Sequence, residues 1–138
     1  MADYKKKIKA EFEQVAQAIA KFPSCPLSEL NDLELSGVGG ILQSFYNGIE
    51  NILKQTFLAH DKTIPEDPQW HQQIIRQAVQ HKFISEKTMD MLIPYLTFRH
   101  LYRNAYVLEL RPERMQILMD EIKNTFSDFK KDILLNFG

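Results

Sequence analysis

The stretch Ile41-Leu42-Gln43-Ser44-Phe45-Tyr46-Asn47-Gly48-Ile49-Glu50-Asn51-Ile52-Leu53-Lys54-Gln55-Thr56-Phe57 sets Ile41, Phe45, Ile49, Ile52, Leu53 and Phe57 three and four residues apart. At about 100° per residue, that spacing gathers the apolar side chains on one side of a helix, which a second element must cover. The same period recurs on both sides of this stretch. Residues 3–21 carry Ile8, Phe12, Val15 and Ile19, with Phe22 next in the period, and residues 68–81 carry Trp70, Ile74, Ile75 and Val79. Residues 112–135 repeat it with Met115, Leu118, Met119, Ile122, Phe126 and Phe129. No run of alternating β-branched residues competes with this pattern.

The breaks between these stripes are equally legible. Pro23 and Pro26 end the first helix, because proline lacks the amide donor and clashes inside a helix. A long second helix is expected over residues 27–60, with Leu30, Leu33 and Leu35 preceding Gly37, Gly39 and Gly40. Glycine weakens a helix by about 1 kcal/mol relative to alanine, so the helix either bends there or is crossed closely by another. A phosphate-cradling loop would need a Gly-Lys-Ser/Thr ending, which is missing. Residues 61–69 read as a polar loop carrying Pro65 and Pro68. Ser85 is an N-cap candidate for a helix over 86–108 that kinks near Pro94, and Pro112 suits the first position of the last helix. Lys5, Lys6 and Lys7 read as a solvated first turn. With no repeat and no linker, residues 1–138 form one domain: an all-α antiparallel bundle of four to five helices.

Composition limits the function. Seventeen Lys and Arg against 18 Asp and Glu give a formal net charge of −1, so the chain is not a broadly basic nucleic-acid binder. One cysteine, Cys25, makes no internal disulfide, and no Cys/His spacing resembles a zinc site. Cys25 reads as a half-buried thiol. The first 21 residues lack a secretory h-region, and no stretch approaches the ~20 apolar residues that cross a bilayer. A cytoplasmic setting without membrane association is expected.

One stretch breaks the pattern: Phe98-Arg99-His100-Leu101-Tyr102-Arg103-Asn104-Ala105-Tyr106-Val107-Leu108-Glu109-Leu110. On a helical wheel Phe98, Leu101, Ala105 and Leu108 share an apolar side. Arg99, His100, Arg103 and Asn104 occupy an opposite sector about 140° wide, with Tyr102 and Tyr106 along its edge. Two arginines one turn apart repel mildly, so carboxylates, a partner chain or a phosphate should pair with them. Arginine grips phosphate through parallel hydrogen bonds and tyrosine stacks on bases, so Arg103 and Tyr102 are candidate RNA contacts. An ordinary solvated face is the plainer reading of the same residues.

Arg99-x4-Asn104-x-Tyr106 resembles the Arg-x4-His-x-Tyr motif of the HEPN superfamily, specifically its HepT-like toxins. Residues Ser44-Phe45-Tyr46-Asn47-Gly48-Ile49-Glu50 and Trp70-His71 also resemble earlier helices of one branch of that family. The likeness runs from about Leu30 to Leu118. It implies a HEPN-like bundle, a homodimer with a composite site, and a metal-independent, cofactor-free endoribonuclease acting on RNA, with tRNA the expected class. It further implies pairing with a nucleotidyltransferase antitoxin that adds AMP to the motif tyrosine, here Tyr106. Arg99 would then stabilise charge on the phosphoryl oxygens.

Asn104 stands where the motif has its histidine. An amide hydrogen-bonds but does not exchange protons near neutrality, and general acid–base catalysis is worth ~10²–10⁴-fold. Three readings of Asn104 stay open: a deliberate inactivating replacement, a natural residue with His100 moving the proton, or a relative that only binds. The alternative of another class is a non-catalytic helical module that partners a nucleotidyltransferase. A dimeric scaffold whose arginines pair with acids across an interface is a third. Arg99, Arg103, Arg111 and Arg114 against Glu109 and Glu113 leave a local positive excess despite the balanced total.

Overall fold

The computed structural model describes residues 3–104 and 110–136, with Asn104 described by its backbone alone. In order, the elements are α1 (Tyr4–Ile19), a 3₁₀ turn (Leu27–Glu29), α2 (Asp32–Ala59), α3 (Trp70–Gln80), α4 (Glu86–Asn104) and α5 (Pro112–Leu135). The bundle is all-α, as expected, with no strand among the described residues.

The quoted stretch lies in the middle. α2 touches α1, α3, α4 and α5, and its Leu42, Phe45, Tyr46, Ile49, Ile52, Leu53 and Phe57 are all buried. α1 contributes Ile8, Phe12, Val15 and Ile19, and approaches α2 so closely that a Cβ on Gly48 would run into the Val15 side chain. An edge-on aromatic chain joins four helices: Phe45 meets Tyr95 at 5.0 Å and Phe126 at 6.2 Å, and Phe126 meets Phe12 at 6.0 Å. Such contacts add ~0.5–1.5 kcal/mol per pair beyond area burial.

The start of α2 differs from expectation. Residues 27–29 form a 3₁₀ turn and Leu30 is extended, because Asn31 caps the helix in a reciprocal capping box with Glu34. The side chain of Asn31 accepts from the Glu34 amide at 2.8 Å, satisfying an orphan donor of the first turn. Leu33, at 82% exposure, therefore sits on the outer face of that turn instead of in the core.

Ser85 does cap α4, its hydroxyl accepting from the Thr88 amide at 3.1 Å. Asp132 of α5 reinforces the cap, accepting from the Ser85 amide at 3.0 Å and the Thr88 hydroxyl at 2.6 Å. A carboxylate at a helix N-terminus also faces the positive end of its dipole. Pro94 lies within α4, and Pro112 opens α5 at its first turn. The part of the expected helix over 86–108 that runs beyond Asn104 lies outside the described residues. α2 continues unbroken through its glycines, so the close-crossing expectation is the one realised. A Cβ on Gly39 would fall against the Tyr102 ring, 2.7 Å from Cδ1, whereas one on Gly37 would meet nothing within 4 Å among the described residues.

Candidate active site

α4 supplies one wall of the site, and its inward stripe is unusual. Leu92 and Tyr95 are buried, and Arg99 and Tyr102 continue the stripe one and two turns later, both half-buried. The expectation that Arg99 lies on the outer sector opposite Phe98 and Leu101 is corrected here. Leu101 is 39% exposed, while Arg99 turns towards α2 and donates from Nε to the Asn47 side-chain oxygen at 2.8 Å. A polar residue on the facing helix makes the inward rotation affordable for a guanidinium.

Tyr102 also turns inward. Its hydroxyl donates to the Ser36 carbonyl at 2.9 Å, its ring lies over Gly39, and Phe98 stacks on it at 5.8 Å. Arg103 and His100 are exposed. The side chain of Asn104 and the whole of Tyr106 lie outside the described residues.

Between α3 and α4 opens a cleft of about 540 Å³. His71 and Arg76 from α3 and Arg99 and His100 from α4 line it, among apolar side chains that include Ile75 and Leu96. No acidic side chain is among its described lining residues. Behind His71 lies Glu50 of α2, only 2% exposed, with its Oε2 2.6 Å from the His71 Nδ1. The Trp70 ring lies 3.8 Å from that of His71, and the Lys54 ammonium stands 4.2 Å over the indole.

Burial pushes the Glu50 carboxyl above its ordinary pKa, against the hydrogen bond and charge of His71 and the charges of Arg99 and Lys54. Burial, and then the Glu50 charge, push the neighbouring Tyr46 phenol far up, with Arg99 opposing both. Tyr46 therefore stays protonated, and its buried hydroxyl has no hydrogen-bond partner among the described residues.

The structure thus brings Arg99 and His100 to one cleft and leaves Arg103 and Tyr102 off its lining. It adds Asn47, Glu50, His71 and Arg76, none of which stood among the sequence candidates. Guanidiniums hold phosphate oxygens, and imidazoles move protons near neutrality. Among the described residues, no group of three or more His, Cys, Asp or Glu side chains is placed to hold a metal ion.

The family model of HepT-like proteins matches residues 37–137. The chain belongs to the HepT-like family of the HEPN superfamily. No curated protein and no solved structure matches it. In this HepT-like chain the match takes in every residue of the cleft and leaves α1 outside. No helix among the described residues is long and apolar enough to cross a membrane.

Proposed function

We propose that this HepT-like chain is the toxin of a toxin–antitoxin pair: a metal-independent endoribonuclease whose RNA phosphate is held in the cleft between α3 and α4. The observation that carries this reading is Arg99, a half-buried guanidinium tethered by Asn47 at 2.8 Å in a cleft it shares with Arg76, His71 and His100. A side chain held in place loses little entropy when it meets a phosphoryl group, and its charge is present at any working pH. The substrate class is RNA, with tRNA foremost, and the working form is a homodimer in which two motif helices meet. Arg103, exposed on α4, is a further phosphate contact.

Control comes from a nucleotidyltransferase antitoxin. The Tyr106 hydroxyl attacks the α-phosphate of ATP, pyrophosphate leaves, and the AMP group brings bulk and negative charge to the motif helix. Mass spectrometry after incubation with such an enzyme and ATP should add one AMP to Tyr106.

Asn104 favours a second reading, a non-catalytic module that docks on the nucleotidyltransferase. Asn104→His separates the two. As a ribonuclease, the His form cleaves RNA faster than the Asn form and is more toxic in cells. As a binding module, neither form cleaves RNA while both bind the partner.

A further inference from the structure

One feature of the cleft has no place in the Arg-x4-His-x-Tyr pattern. His71 sits on α3, and its Nδ1 is fixed 2.6 Å from a carboxylate of α2 that is nearly closed to water. Its own side chain is 26% exposed and lines the cleft. With Nδ1 engaged, Nε2 is the ring nitrogen left to meet a ligand. Trp70 packs against the ring and limits its rotation.

A purely structural tie between α2 and α3 would not need this chemistry. Removing a carboxylate from water costs several kcal/mol, and well-packed apolar residues commonly replace such pairs without loss. The pair instead has one buried end and one end in a cleft of cationic residues. A carboxylate behind an imidazole fixes its tautomer and steadies the imidazolium that forms on protonation.

We infer that His71 and Glu50 form a proton-transfer dyad serving the phosphate held by Arg99, with His71 the catalytic base and Glu50 the positioning residue. The inference rests on the ribonuclease reading above. It gives the chain a proton-accepting group that does not depend on position 104. The 2′-hydroxyl oxygen bonds to phosphorus and its proton passes to Nε2 of His71. The bond from phosphorus to the 5′-oxygen breaks, that oxygen takes a proton from water, and the imidazolium returns its proton to the hydroxide so formed. The products are a 2′,3′-cyclic phosphate and a 5′-hydroxyl. The charged and titratable groups around His71 are Glu50 at its Nδ1, Lys54 over the adjoining Trp70 ring, and Arg76, Arg99 and His100 on the shared cleft lining.

The test is single-turnover cleavage of a fluorescent oligoribonucleotide by the chain with Asn104 in place, from about pH 5 to 9. His71→Gln should lose ~10²–10⁴-fold in rate and the acid limb of the pH profile. Glu50→Gln should lose less and move that limb, and melting curves should show both variants folded. Should either substitution unfold the chain, His71→Asn and Glu50→Asp serve as the second pair. Retention of rate and acid limb in folded His71→Gln, while Arg99→Ala is inactive, overturns the dyad alone. So does a wild-type chain that leaves RNA intact while Asn104→His cleaves it. Inactivity of both the wild type and Asn104→His overturns the dyad and the ribonuclease reading together.

Discussion

Arg99 donates its Nε–H to the side-chain oxygen of Asn47 at 2.8 Å, so a residue of the motif helix is steered by the central helix of the bundle. Asn47→Ala should therefore keep the Arg99 charge but free its orientation. Cleavage is expected to fall by one to two orders of magnitude with kcat affected more than KM, because a positioned guanidinium acts most on the transition state. Comparing kcat and KM for Asn47→Ala and wild type checks this.

The glycines of α2 give opposed predictions two residues apart. Gly39→Ala should destabilise the fold by about 1–3 kcal/mol, since the new methyl meets a Tyr102 ring held by Phe98 and by Ser36. Gly37→Ala meets none of the described residues within 4 Å and should stabilise by up to about 1 kcal/mol through helix propensity. Urea unfolding of the two variants decides both signs.

The helix order was readable from apolar spacing because each stripe has its own cover: Ile8, Phe12 and Val15 on one side, Ile122 and Phe129 on another. Arg99 was not, because pattern reading sends every charge outward. Its inward turn depends on Asn47, 52 positions away in the chain. Glu50 was hidden for the same reason. A lone carboxylate between Ile49 and Ile52 has no meaning until His71, 21 positions on, is folded against it. The words Ser44–Glu50 and Trp70-His71 marked these helices without giving the residues a role.

Glu50 should make stability fall with rising pH. Its folded pKa is raised, so its contribution is complete below the ordinary glutamate value and is lost as pH climbs through the folded one. Glu50→Gln should flatten the dependence of Tm on pH above about 4.5. A slope unchanged by the substitution would contradict the assignment.

Tyr95 acts at the alkaline end. Burial raises its phenol to about 12, and its hydroxyl donates to the Leu118 carbonyl at 2.6 Å. Its contribution is complete below the ordinary tyrosine pKa and is lost as pH rises through about 12. Tyr95→Phe should cost about 1 kcal/mol at neutral pH and weaken the alkaline unfolding transition. Denaturant melts at pH 7 and pH 11 measure both effects.

Asp132 holds the α4 N-terminus through the Ser85 amide and the Thr88 hydroxyl. Asp132→Ala should cost about 1.5–3 kcal/mol, as expected for hydrogen bonds to a charged acceptor. Thermal unfolding would show it as a lower Tm with secondary structure retained in the cold.

The most direct measurement is end-group analysis of RNA incubated with wild type, Asn104→His, Arg99→Ala and Arg99→Lys, without divalent metal. Wild type should yield 2′,3′-cyclic phosphate ends, Arg99→Ala none, and Arg99→Lys little, because lysine lacks the fork that meets both Asn47 and a phosphate. Equal product from wild type and folded Arg99→Ala, or none from wild type and Asn104→His alike, would contradict an Arg99-centred ribonuclease site.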